Sequence, residues 1–386
     1  MSLTKQDYFD IVKKGKYTNV AKIVFLRRED ESIISEITGD ILSGNLSINK
    51  QNGVRRSVDF TLKNVDKKYI PNKYGIWIGS KIQLYLGIKF NNEFYWEFHG
   101  IFVLLNPTLN MSINNNTISI NAIDKFSLYD GQYSGNLNDY VIINNGTNIN
   151  VAINSILTSS AIIGEKNLDP KSSILEPTSI ALSYELRKGY GDKISSLLSE
   201  LAFYSSRNIY YNRFGFLTFE EDIDDTTKGS SWDFGFDDNK LTLQSFSKNE
   251  HFDNVFNVVK VIGMTIDGLT AIATAKNINP LSNTNIDIIG EKFAPVIEDS
   301  RISDSLLAQK RADFELKKLI RLNSSINISC LPLIHLDVDE IITITNENSN
   351  LYRERFVIQS IGFSFGNNLM SITATNIKEL SLEIEV

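Results

Sequence analysis

Three histidines, one cysteine and a short acidic run are the side chains here whose types could support catalysis or metal binding. His99, His251 and His335 stand far apart in the sequence, and none belongs to an H-E-x-x-H or Cys–His context. His99 and His335 fall in or beside β-patterned stretches, where a packed, hydrogen-bonded imidazole is the expectation. Cys330 occupies a strand-like site in Ile328-Ser-Cys-Leu-Pro332, which predicts a buried thiol rather than a nucleophile. Being single, it excludes an internal disulfide or a thiolate metal cluster and fits a reducing compartment. The run Glu220-Glu-Asp-Ile-Asp-Asp225 offers oxygen ligands but lacks the alternating spacing and mid-loop glycine of a calcium loop, so a solvated loop is expected. Asp233-Phe-Gly235 spells the kinase magnesium tripeptide without a glycine-rich loop or an H-R-D before it. Gly189-Tyr-Gly191 precedes a helical stretch but lacks the third glycine of a dinucleotide loop. No catalytic residue, metal site or cofactor follows, and the expectation is a protein that is not an enzyme.

The totals point the same way. At 386 residues the chain suggests two or three domains, and 42% hydrophobic with 22% charged residues is an ordinary globular balance. A net charge of -7 provides no basic footprint for nucleic-acid phosphates; it suits a conduit that DNA passes without specific binding. No apolar leader opens the sequence, and no apolar run approaches the ~20 residues that span a bilayer. A soluble chain made in the bacterial cytoplasm, without a membrane anchor, is expected.

The elements themselves carry more information. Thr4 caps a predicted helix over 4–15, and the texture then changes to short alternating strands from Val20 to Ala122. Residues 131–240 read as an α+β insert. In it, Ile194, Leu197, Leu198 and Leu201 form a helical stripe, followed by a hairpin turning at Asn212–Gly215. A further β-unit with a helix over 304–319 occupies 241–386, and residues 1–130 hold the first unit with its leading helix. The fold class is mainly β: two similar antiparallel barrel units around a small α+β module.

The two units echo each other in sequence. Ile78–Leu84 matches Val338–Ile344 at an offset of 260, with Ile82 over Ile342, and Trp96–Ile101 matches Phe356–Ile361 at the same offset. Asn115–Ala122 matches Asn367–Ala374 at an offset of 252, so the first copy is eight residues longer. That extra length is assigned to the loop Asn106–Asn116. Asn106, Pro107, Thr108, Leu109, Asn110, Met111, Asn114 and Asn115 are therefore the candidate partner-binding residues. Trp96 and Phe98 are expected in the core, on the face of Ile82 and Leu84.

The order of parts resembles the baseplate hub family of phage tails and contractile phage-tail-like particles such as R-type bacteriocins. Three stretches carry the resemblance: Gly191–Phe219 with its Phe214-Gly215-Phe216 turn, Asn254–Gly263 as the strand opening the second barrel, and Asp304–Ile377 as closing helix and meander. The resemblance implies a homotrimer whose two-copy subunits make a pseudo-six-fold ring between the tail tube protein and the central spike protein. Tape-measure and baseplate wedge proteins are further implied neighbours, and the implied place is the virion or particle baseplate after cytoplasmic assembly. The chain stops soon after the meander, so a cell-wall hydrolase is expected on another polypeptide. The alternative is a tail component that uses its β-units to bind or hydrolyse carbohydrate.

Overall fold

The computed structural model describes residues 3–64, 67–72, 76–112, 116–132, 134–159, 162, 169–222, 228–235, 242–250, 255–321, 324–349, 351–365 and 369–377. Helix α1 (Lys5–Lys14) starts where Thr4 and Asp7 exchange capping hydrogen bonds and stops at Gly15, whose φ of 65° suits a residue without Cβ. Its Tyr8, Ile11 and Val12 are buried. The first β-unit follows with β1 (Thr18–Leu26), β2 (Ile33–Ile37), β3 (Ile41–Asn49) and β4 (Arg56–Lys63). It continues with β5 (Lys81–Phe90), β6 (Glu93–Leu104), β7 (Thr108–Met111) and β8 (Asn116–Asp124). Across the sheet these run β3-β4-β8-β6-β5-β1-β2, with β7 beside β8 as a continuation of β6.

The middle module begins at a 3₁₀ turn, Lys125–Tyr129, capped by Asp124. It contains β9 (Val141–Ile143), α2 (Ile149–Thr158), β10 (Ile174–Leu175), β11 (Leu186–Lys188), α3 (Ile194–Ser205), β12 (Asn208–Tyr211) and β13 (Leu217–Glu220). The stripe read from the sequence is its core: Ile194, Leu197, Leu198 and Leu201 are fully buried against α2 and the β12–β13 hairpin. Gly215, at φ 74°, makes the turn of that hairpin.

The second β-unit consists of β14 (Ser230–Phe234), β15 (Leu243–Glu250), β19 (Ser324–Cys330), β20 (Ile341–Asn346), β21 (Leu351–Phe365) and β22 (Met370–Asn376). Between β15 and β19 the chain leaves the unit to form β16 (Val258–Ile266), β17 (Leu269–Lys276), a short α4 (Ile286–Ile289), β18 (Ile297–Glu298) and α5 (Ser305–Arg321). β16, β17 and β18 form a separate three-stranded sheet covered by α5 through Ala308, Ala312, Leu316 and Ile320. The expectation that Asn254–Gly263 opens the second barrel is therefore corrected. Its β16 pairs with β17 and β18, and α5 buries the face it would have offered the large sheet.

The echo in the sequence is a duplication of topology. Strands β1, β3, β4, β5, β6 with β7, and β8 have β14, β15, β19, β20, β21 and β22 as counterparts. The spatial order is the same in both sets: β3-β4-β8-β6-β5-β1 and β15-β19-β22-β21-β20-β14. Pairing fixes the equivalences. Ile82 faces Phe102 as Ile342 faces Phe356, and Leu104 faces Ala122 as Ile358 faces Ala374. The offset is thus 260 for β5, 254 for β6 and 252 for β8. The match of Trp96 with Phe356 was six residues out of register; the counterpart of Phe356 is Phe102, and both rings are fully buried. One departure from an all-antiparallel unit is β14, which lies parallel to β20 where β1 is antiparallel to β5.

The units join where β21 extends past its pairing with β20. β21 pairs with β3 from Ser360↔Asn49 to Phe365↔Gly44, making one 14-stranded sheet. One apolar cluster runs from Tyr8 through Ile82, Leu84 and Phe102 to Ile342, Phe356 and Ala374.

Candidate functional site

A buried cluster of charged side chains lies where both β-units meet the middle module. Arg55 ends the turn before β4 and Arg56 opens the strand, and Asp124 holds this junction by accepting both backbone N–H groups at 2.7 and 2.9 Å and that of Phe126 at 3.0 Å. Burial pushes the Asp124 carboxyl up to about 6, against the pull of these hydrogen bonds. The guanidinium of Arg56 grips Asp337 through both terminal nitrogens, the shortest contact being 2.7 Å. Burial raises the Asp337 carboxyl, but Arg56 more than offsets it and the net shift is downward. Arg55 pairs with Asp339 at 3.0 Å and stacks 3.3 Å over the Tyr210 ring, while Lys50 reaches Asp339 at 2.6 Å and Asp222 at 3.0 Å. Arg213, on the β12–β13 turn, donates to the backbone oxygens of Phe98 and His335 at 2.9 and 3.1 Å. One arginine of the insert thereby holds the main chain of both units. The chemistry of this joint is positional: each charged side chain named lies against a charge or dipole of opposite sign, although Arg56 Nε is buried without a hydrogen-bond partner.

The residues singled out in the sequence fall elsewhere and remain separate. His99 is buried with its ring edge-on to Phe363, and burial holds its imidazole well below the usual range. His335 is buried beside α1, its Nδ1 2.9 Å from the Tyr8 hydroxyl, with its pKa lowered to about 3 by burial. His251 lies outside the described residues. Cys330 is buried in β19, and burial pushes its thiol far up. Asp233 and Phe234 belong to β14; Asp233 bonds Thr343 and Arg353, and Phe234 is core. In the acidic run, Glu220 receives the Tyr210 hydroxyl, Glu221 pairs with Arg207 and Asp222 with Lys50; residues 223–225 lie outside the described ones. Tyr190, between Gly189 and Gly191, is exposed, and Asp192 accepts the Gly189 N–H in a local turn. Among the described residues no group of three or more His, Cys, Asp or Glu side chains is placed to hold a metal ion.

Trp96 and Phe98 are corrected from the core to the outer face. Phe98 packs with Tyr85 beside Val24, Leu26 and Ile101, and Trp96 stacks on Phe94 with Lys22 over its ring. The cause is a bulge in the β5–β6 pairing between Leu84 and Tyr85, at Gly100 with φ 138°, which switches the alternation.

The proposed partner loop is a strand arm. Thr108–Met111 pairs with Asn116–Ser119, leaving Asn106, Thr108, Asn110 and Met111 exposed and Pro107 and Leu109 half-buried; Asn114 and Asn115 lie outside the described residues. Only two of the eight extra residues belong to the β7–β8 hairpin. The other six lie in the β5–β6 hairpin, which turns at Asn91 and Asn92, both at positive φ. Because β6 runs from that turn toward β7, the two hairpin tips sit at opposite ends of the first unit.

The joint itself was missed in the sequence. Its signals were Arg55-Arg56 at a strand start and Asp337-Val-Asp339 before another, adjacent charges that alternation alone cannot pair. Comparison with solved structures identifies the arrangement. A tail protein from Neisseria meningitidis matches with a TM-score of 0.64 at 11% identity, covering 94% of this chain and 98% of that one. The 43 kDa tail protein of prophage MuSo2 from Shewanella oneidensis matches at 0.60 and 14% identity over 94% of this chain and all of that one. This chain has the fold of these phage tail proteins. The E. coli c3393 protein, a type VI secretion component similar to phage T4 tail proteins gp27 and gp5, matches at 0.51 and 10% over 90% and 76%. No protein-family model and no curated sequence matches. Among the described residues, no helix is long and apolar enough to cross a membrane.

Proposed function

We propose that this chain is a structural tail hub whose trimer forms a pseudo-six-fold ring between the tail tube and the central spike. The observation that carries this reading is the repeated strand order of the two units. Two equivalent units per chain present six in a trimer, the number needed to join a six-fold tube to a three-fold spike. The hairpin tips at opposite ends of the first unit provide contacts toward both neighbours: β7–β8, with Asn106–Met111, on one rim and the six-residue-longer β5–β6 hairpin on the other. The role is one of assembly, without a chemical step, and the particle baseplate is its place. The two units are taken as 18–124 and as 230–377 without the separate sheet and helix of 258–321, with the middle module between them.

Co-expression with the tube and spike proteins of the same particle tests this. Native mass spectrometry should find three chains bound to the spike, and the protein should co-purify in tail particles. Monomers that neither bind spike nor enter particles would exclude the hub role.

A further inference from the structure

Two lysines lie fully buried beneath the joint. Lys81 in β5 and Lys125 in the 3₁₀ turn both place their Nζ 2.9 Å from Glu31 Oε1, and Lys125 Nζ also lies 2.6 Å from Asp169 Oδ1. Both lysine side chains are 0% exposed, Asp169 is 4% exposed and Glu31 6%. Tyr211 donates to Asp169 Oδ2 at 2.6 Å, and its hydroxyl is 3.2 Å from that of Tyr129. Glu31 is held at φ 57°, a strained backbone for a residue with a side chain, and its Oε2 is buried without a hydrogen-bond partner. A lysine nucleophile, a carboxyl electrophile and a second carboxylate touching the nucleophile thus meet with water excluded.

We propose that Lys125 and Asp169 condense spontaneously into an intramolecular isopeptide bond, with Glu31 carrying the proton. The ammonium of Lys125 first gives a proton to Asp169 Oδ1 across their 2.6 Å contact, leaving a neutral amine and a neutral acid. Nζ then attacks Asp169 Cγ. Negative charge gathers on Oδ2, where the Tyr211 hydroxyl already donates. Glu31 takes a proton from Nζ and hands it to the Oδ1 hydroxyl, which leaves as water. One C–N bond forms and one C–O bond breaks; ammonium plus carboxylate becomes amide plus water, and no oxidant or cofactor takes part. The charge balance also favours the product. Four buried charges become two, and Lys81 remains paired one-to-one with Glu31. The bond would tie the 3₁₀ turn that opens the middle module to the segment leading into β10, across a chain separation of 44 residues.

Intact-mass measurement and peptide mapping of the purified full chain test the proposal without any variant. The expected result is a mass short by one water and a branched peptide joining the Lys125 and Asp169 segments. A folded chain that keeps its full mass after long incubation, with linear peptides only, overturns it. Lys125→Arg and Asp169→Ala should each abolish the branched peptide. Glu31→Gln should leave Lys125 and Asp169 in place yet reduce bond formation at least tenfold; formation at the parental rate would remove Glu31 from the mechanism.

Discussion

Arg55 and Asp339, 284 residues apart, form a buried ion pair of 3.0 Å at the meeting point of the two β-units. Each has a second partner: Arg55 lies flat over Tyr210 of the middle module, and Asp339 also binds Lys50. The pair therefore ties three parts of the chain at one place. Buried pairs of this kind add little net stability over apolar substitutes, but removing one partner strands the other.

Asp339→Ala should consequently be severe. It leaves Arg55 and part of the Lys50 charge buried, and a loss of about 3–5 kcal/mol is expected from urea unfolding. Asp339→Asn, which keeps an acceptor, should lose less. Equal losses would show that charge is not what Asp339 supplies.

The seam between the units makes a second prediction. Gly44 in β3 lies against β4 and β21, and a Cβ there would come within 2.5 Å of the Asp59 oxygen and the Phe365 ring. Gly44→Ala should force β3 and β21 apart at a cost of about 1–3 kcal/mol, read as a lower unfolding midpoint. An unchanged midpoint would mean that the seam is loosely packed.

Acid sensitivity has a definite sign. The pKa of buried His335 is lowered to about 3, so between its unfolded value near 6.5 and that pH the unfolded chain binds the proton first. Its contribution is fully present above about pH 6.5 and is lost as pH falls toward 3; His99 acts in the same direction. Asp124, raised to about 6, works oppositely and favours the folded state as pH falls from about 6 toward 4. His335→Asn should flatten the fall in melting temperature below pH 6.5, whereas Asp124→Asn should steepen it. Melting curves across this range decide both.

The rims separate folding from assembly. Met111 is 67% exposed on the β7 arm, so Met111→Asp should leave stability within about 0.5 kcal/mol of the parent. Capture of a tube or spike partner should fall at least tenfold. Parental binding by this variant, and by one with the β5–β6 hairpin shortened by six residues, would place the partner contacts elsewhere.

Helices and strands were legible wherever one face is buried. The Ile194–Leu201 stripe, the Thr4 cap and the Asn212–Gly215 turn all correspond to observed elements, because each reports a local period or a local backbone conformation. Register was less legible. The Trp96 match failed by six residues because the β5–β6 hairpin of the first copy is six residues longer, and the face of Trp96 was misread because the bulge at Gly100 inverts the alternation.

By itself the sequence determined that a β-unit is present twice, that a helical module separates the copies, and that the first copy is eight residues longer. Periodicity and repetition are local properties and survive without coordinates. Only the tertiary structure decided that β21 pairs with β3, that the extra residues divide six and two between opposite tips, and that Val258–Gly263 belongs to a separate sheet. It alone brought Arg55 to Asp339 and Lys125 to Asp169. Pairings between charges tens or hundreds of residues apart are set by how the sheet folds back on itself, and side-chain type and spacing do not record that.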